Sequence, residues 1–129
     1  MSAILIKDKQ VRRIFGANCA AREKLIKKLA DVDGLNEGST LLTRAAGRGD
    51  THLMTLLLWH GANPDFRDWQ ETTPLEYAIG SGENSDVYVL IAFGANLDLA
   101  DSDGLSPRAR LKARTNLPKT LRMLIGMEY

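Results

Sequence analysis

The sequence predicts an all-α solenoid of about four stacked helical pairs, with short hairpin-like fingers and degenerate caps at both ends. Three observations lead there. The chain repeats itself at a spacing of 33 residues. Each repeat carries helix-starting and helix-stopping residues in a fixed order. Within each repeat, apolar residues recur at the three-and-four spacing of a helix face. The repetition is dense: Thr40 recurs at Thr73 and conservatively at Ser106, Leu42 at Leu75, Ala45 at Ala78, Gly49 at Gly82, Asp68 at Asp101 and Pro74 at Pro107. The triplet Gly61-Ala62-Asn63 returns as Gly94-Ala95-Asn96.

The elements follow in order along a single domain. Residues 1–34 read as an N-terminal cap, matching the repeat only at their end, where Leu25-Ile26 and Ala30-Asp31 resemble Leu57-Leu58 and Ala62-Asn63. Residues 35–67 form the first full repeat. Thr40 can accept the first free N–H groups of a helix, small Ala45 and Ala46 let neighbouring helices approach, and Gly49 breaks the chain before a second helix. That helix carries the stripe Met54-Leu57-Leu58 and stops at Gly61. Residues 68–100 repeat the plan with Thr73, Pro74 at the first helical turn, Ala78, Gly82, the stripe Val87-Leu90-Ile91 and Gly94. Residues 101–129 begin the same way with Ser106 and Pro107, then turn polar at Arg108 and Lys112, as a terminal unit must if its far side is to face water. Fingers are expected around 64–72 and 97–105. A lone pair of helices cannot bury its apolar face, so the pairs must stack.

At these residues the sequence resembles the ankyrin-repeat family, whose pattern runs roughly D-x-x-G-x-T-P-L-H-x-A-A and then x-x-G-H-x-x-x-V-x-x-L-L-x-x-G-A. The match is specific over residues 35–107 and weaker on both sides. The resemblance implies a non-enzymatic module that binds a protein partner through a concave surface of finger tips and first helices. Here those positions are Asn36, Glu37, Ser39, Gly47 and Arg48, then Trp69, Gln70, Thr72, Gly80 and Ser81, then Ser102, Asp103, Leu105 and Arg114.

Composition narrows the remaining classes. The chain has 129 residues, 44% hydrophobic and 26% charged, enough for one real core. One cysteine, Cys19, excludes an intramolecular disulfide framework. The early apolar run Ala3-Ile4-Leu5-Ile6 is too short for a signal core or a bilayer span, so the cytoplasm is the expected compartment. The net charge of +1 conceals an uneven map: residues 1–31 carry eight basic and three acidic side chains, residues 32–103 three and twelve, and residues 104–129 six and one. An acidic middle argues against duplex nucleic acid as its ligand.

No catalytic constellation emerges. His52 and His60 stand without a metal-ligand pattern. Cys19, between two expected cap helices, reads as a small, semi-buried packing residue. Gly80-Ser81-Gly82 lacks the strand before it and the Lys-Ser/Thr after it that a phosphate cradle requires. No enzyme activity, cofactor or metal is therefore expected. Asp65, Asp68, Asp98 and Asp101 recur with the repeat and read as turn residues. Glu37, Asp50, Glu71, Glu76, Glu83, Asp86 and Asp103 are less readily explained by it; Glu37, Glu71 and Asp103 are the candidates for meeting a basic partner. Trp69, on a finger, is the candidate anchor, flanked by Phe66 and Tyr77. Trp59, late in a second helix, is expected to pack against its neighbour. The basic residues Lys24, Lys27, Lys28, Arg108, Arg110, Lys112 and Arg114 fit the wet sides of the caps. Two further readings stand beside the interaction module: a stoichiometric inhibitor, such as a bacterial immunity protein neutralising a basic toxin, and a structural component of an assembly.

Overall fold

The computed structural model describes residues 4–81 and 84–127. Gly82, expected to break the second repeat, and Glu83, among the acidic candidates, lie outside the described residues. Eight helices are described: α1 (Asp8–Gly16), α2 (Cys19–Lys27), α3 (Leu41–Arg48), α4 (Thr51–Trp59), α5 (Pro74–Ser81), α6 (Asn84–Ala92), α7 (Pro107–Lys112) and α8 (Lys119–Leu124). α1 packs on α2, α3 on α4 and α5 on α6, while α7 joins the stack through α5 and α8 through α6. The first helices α3, α5 and α7 pack in sequence, and so do the second helices α2, α4, α6 and α8.

The predicted punctuation is present at the atomic level. The Thr40 hydroxyl accepts the Thr43 N–H at 3.2 Å, Thr73 the Glu76 N–H at 3.3 Å, and Ser106 the Ala109 N–H at 3.1 Å. Each satisfies a helix-start donor that has no partner within the helix. Gly49, Gly61 and Gly94 all take left-handed φ, of 69°, 90° and 92°, and end α3, α4 and α6 where a side chain would be strained. The core runs between the two helix layers, through Leu42, Ala45, Leu53, Met54 and Leu57, then Leu75, Ala78, Val87 and Leu90, then Leu111, Leu121 and Ile125. Each such leucine contributes about 1.5–3 kcal/mol by leaving water. The cap is a folded part of this core: Ile6, Val11, Ile14 and Ile26 are buried, and the Ile6 N–H reaches the Leu35 carbonyl at 2.7 Å.

Arg22 locks the cap to the first repeat. Its guanidinium grips Asp50 in a two-pronged pair, Nη1 to Oδ1 at 3.0 Å and Nη2 to Oδ2 at 2.7 Å. It also donates to the carbonyls of Ile14 and Phe15 at the end of α1. Asp50 in turn caps α4 by accepting the Leu53 N–H. One side chain thus joins α1, α2 and α4. Burial pushes the Asp50 carboxyl upward, but the Arg22 hydrogen bonds and the Leu53 amide outweigh it and hold it below its ordinary value.

Two expectations are corrected. Cys19 is not semi-buried; it is the exposed first residue of α2, because the chain turns outward at the Asn18 cap. Trp59 does not pack against its neighbour; it is 74% exposed on the last turn of α4. The C-terminal arginines also do more than keep a cap wet. Arg108 Nε donates to Asp98 at 2.8 Å and another guanidinium nitrogen reaches the Ile125 carbonyl; Arg110 pairs with Asp101, and Arg114 donates to the Ile79 carbonyl.

Arg22→Met should lower the unfolding free energy by about 2 kcal/mol, because half-buried Asp50 loses its charged partner and the Ile14 and Phe15 carbonyls lose a donor. Urea titration checks the size. The pair's contribution should be complete above pH 3.8, the ordinary carboxyl value, and should disappear as pH falls through the lowered folded value. The gap between wild type and variant should therefore narrow in strong acid, leaving the share that comes from the Ile14 and Phe15 carbonyls.

Candidate functional site

Three fingers project between the first helices. The first turns at 36–39, where Asn36 and Ser39 exchange backbone hydrogen bonds at 2.9 and 3.1 Å. The second closes with the Asp68 N–H donating to the Thr72 carbonyl at 3.0 Å, the third with Asp101 N–H to Leu105 carbonyl at 2.9 Å. Inside the latter two, an aspartate organises the turn. Asp68 Oδ1 accepts the amides of Gln70 and Thr72, and Asp101 Oδ1 those of Asp103 and Leu105. These are local carboxylate-to-amide bonds, strengthened by charge.

A single repeat position braces each finger against its own first helix. Arg44, Tyr77 and Arg110 stand 33 residues apart. Arg44 donates to the Asn36 carbonyl at 3.1 Å, the Tyr77 hydroxyl donates to Asp68 Oδ2 at 2.5 Å, and Arg110 pairs with Asp101 Oδ2. Burial and the adjoining Asp68 carboxylate push the Tyr77 hydroxyl up to about 12. The Arg110 hydrogen bond holds Asp101 below the ordinary carboxyl value. Burial and the nearby Asp101 charge raise Glu76, against the opposing bonds from Thr73.

A second ladder joins successive loops. Asp33 accepts the Asn63 N–H at 2.8 Å, and Asp65 the Asn96 N–H at 2.7 Å. Asp98, the next rung, receives Arg108 instead, so an arginine at a position held by Leu42 and Leu75 closes the series at the last repeat. Asp86 is buried and accepts the Thr51 hydroxyl. Much of the acidic middle is therefore internal fastening. The side chains of Glu37, Glu71 and Asp103 accept no hydrogen bond among the described residues, and all three are exposed on finger turns. Glu37 lies 3.6 Å from Arg44.

The sequence-predicted contact residues divide by environment. Asn36 and Ser39 are buried, and the Asn36 amide is committed to the Ile6 carbonyl and the Asp8 carboxylate. Tyr77 is committed to its brace, with Gln70 Oε1 also 3.1 Å from its hydroxyl. Arg48 lies over the Phe15 ring, 4.3 Å from its centroid. Phe66 is half-buried and Ser81, exposed, bonds back to the Ala78 carbonyl. Thr72 and Leu105 line one groove of about 570 Å³ between α5 and α7, with Glu76 and Arg110 among its walls. Ser102 is exposed beside Asp103. Trp69 is 69% exposed, yet its base is fixed: its N–H donates to the Gly38 carbonyl at 3.2 Å, and any Cβ at Gly38 would come within 3.0 Å of Trp69 Cβ. The brace position went unrecognised in the sequence, although its spacing was readable, because Arg, Tyr and Arg share no chemistry except donation.

A family model for ankyrin repeats in three copies matches residues 15–101. The chain belongs to the ankyrin-repeat family. Ankyrin repeats are protein-interaction modules, and the arrangement of helical pairs and fingers is theirs. Similar stretches occur inside much longer proteins. The chain is 38% identical over 81 residues to the ADP-ribosylation factor GTPase-activating protein AGD2 of Arabidopsis thaliana, covering 63% of this chain and 10% of that protein. It is 33% identical over 93 residues to the inactive serine/threonine-protein kinase TEX14 of Mus musculus, covering 71% of this chain and 6% of that one. It is 33% identical over 67 residues to the E3 ubiquitin-protein ligase KEG of Arabidopsis thaliana, covering 52% and 4%. The chain thus spans a tenth or less of these relatives, all of them similar through their repeat segments.

Two measurements test the finger chemistry of this ankyrin chain. In a spectrophotometric titration, Tyr77 should ionise near its raised value of about 12, and Tyr77→Phe should remove that late step. The brace contributes stability that is complete below the unfolded tyrosine value and fades as pH rises through the folded one. Separately, Glu71 holds φ 60° at the position occupied by Gly38 and Gly104 in the other fingers. Glu71→Gly should therefore raise stability by about 1 kcal/mol in chemical denaturation.

Proposed function

We propose that the fingers and first helices dock a protein segment, with Trp69 as the apolar anchor and Glu37, Glu71 and Asp103 orienting basic groups of the partner. The observation that carries this reading is Trp69: a large aromatic left 69% exposed on a turn pinned at both ends. Exposed aromatics on a rigid frame are favourable anchors, because little ordering entropy is lost when they bind. The three carboxylates support a basic partner because they are exposed on finger turns and accept no hydrogen bond among the described residues, Glu37 having only a 3.6 Å contact to Arg44. Thr72 and Leu105, beside the tip, extend the apolar contact into the groove between α5 and α7. Where the partner is itself a basic enzyme, docking here would mask its surface in a one-to-one complex; loss of that enzyme's activity at equimolar chain distinguishes masking from tethering.

A capture experiment from source lysate tests the reading. Trp69→Ala should weaken the captured partner by about thirty-fold, as for an interface hot spot of about 2 kcal/mol. Reversal of Glu37, Glu71 and Asp103 to lysine should reduce binding most at low salt. A partner indifferent to both changes removes the fingers from the interface.

A further inference from the structure

The second helices carry a second apolar surface. The second helices pack side by side in the order α2, α4, α6, α8. Their last turns lie in one register. Trp59, Ala92 and Leu124 each stand two residues before a left-handed glycine, Gly61, Gly94 and Gly126 respectively. All three are exposed, as are the adjacent Phe93 and Met123. The sequence therefore lays a row of apolar side chains across three helices, ending in a tryptophan that packs on nothing sufficient to cover it.

Charge is distributed around this row in a definite way. α4 contains no Asp, Glu, Lys or Arg, and the one such residue in α6, Asp86, is buried. The neighbouring α2 is different. Lys27 occupies the row position equivalent to Trp59, and Lys24 and Lys28 are exposed beside it without an ion pair among the described residues. Lys27 has only an exposed contact to Glu23, at 3.6 Å. The surface is an apolar strip with positive charge at its α2 end.

We propose that this row docks an acidic amphipathic helix of a partner protein. Packed helices lie about 8–10 Å apart, so the surface from the α2 lysines to α8 spans about 24–30 Å. An α-helix of about 16–20 residues covers that length. Its apolar stripe would lie along Trp59, Ala92 and Leu124, with a bulky side chain over the low point at Ala92. Its carboxylates would lie over Lys24 and Lys28. A broad anionic sheet fits less well, since Glu23 stands among the lysines and the exposed Asp98 follows the loop after α6. The proposal does not depend on the fingers.

Selection from a library of random 16-residue displayed peptides tests it, using the Trp69→Ala chain as bait so that the finger anchor is absent from the selection. Enriched peptides should carry apolar residues at helical spacing with Asp or Glu flanks. Their binding should fall at least about ten-fold in Trp59→Ala and in Lys24→Glu/Lys28→Glu, both made in that background. Thermal melts should stay unchanged, because these side chains are exposed. No enrichment, basic peptides, or peptides insensitive to Trp59 would overturn it. So would Trp59-dependent binding to phosphatidylserine–phosphatidylcholine vesicles, which reassigns the row to a membrane, or a Trp59-dependent dimer in sedimentation, which reassigns it to self-association.

Discussion

Everything in this structure follows from the inability of one short helical pair to bury its own apolar side, so that Leu42, Leu57, Leu75 and Leu90 are hidden only because the next pair covers them. The spacing of 33 residues is the length of chain needed to make one such pair and a finger that returns to start the next. It also sets a demand on the outer helices α1, α2, α7 and α8, which pack on a neighbouring repeat on one side among the described residues. The N-terminal end answers with a pair whose Ile14 and Ile26 complete the core, and with Arg22, which crosses from α2 to the cap of α4. The C-terminal end replaces a core leucine by Arg108 and spends that charge on Asp98 and the Ile125 carbonyl.

Stacking alone would leave the fingers loose, since each is a short loop over few buried atoms. Two sets of polar contacts stiffen them. Asp68 and Asp101 gather the amides of their own turns, and the residues at 44, 77 and 110 tie finger to helix. The loop ladder through Asp33, Asp65 and Asp98 then connects one repeat to the next. A carboxylate paired with an arginine, as Asp50, Asp98 and Asp101 are, has little field left for a distant partner, whereas one that accepts only amides or hydroxyls keeps its charge but has its oxygens occupied. This is why the strongly acidic composition of residues 32–103 overstates the charge on the surface, and why the location of the few unsatisfied carboxylates matters more than their number.

Much of the fold was legible because the repeat restates each local signal. Thr40, Thr73 and Ser106 cap helices, and Gly61 and Gly94 end them, as backbone stereochemistry requires. The site was less legible. Burial of Asn36 depends on a contact with Ile6 and Asp8, far away in sequence and within a cap whose packing the repeat does not encode. The commitment of Asp50 depends likewise on Arg22. Trp59 misled because a tryptophan among leucines reads as core, whereas its place at the last turn of α4, one residue past the stripe Met54-Leu57-Leu58, rotates it outward.

The contrast between the two tryptophans follows from the same architecture. Trp69 belongs to a finger, so its position is fixed by a backbone hydrogen bond to the neighbouring finger and by the absence of a side chain at Gly38. Trp59 belongs to a helix, so its position is fixed by the stacking of α4 between α2 and α6. Both are held by the frame through backbone they do not share. Truncating either ring leaves the core and the ladder intact, and the two faces can therefore be separated by substitution without unfolding the chain. A solenoid makes this separation inexpensive: its core lies in a thin layer between the first and second helices, and each layer has one side turned inward and one side free.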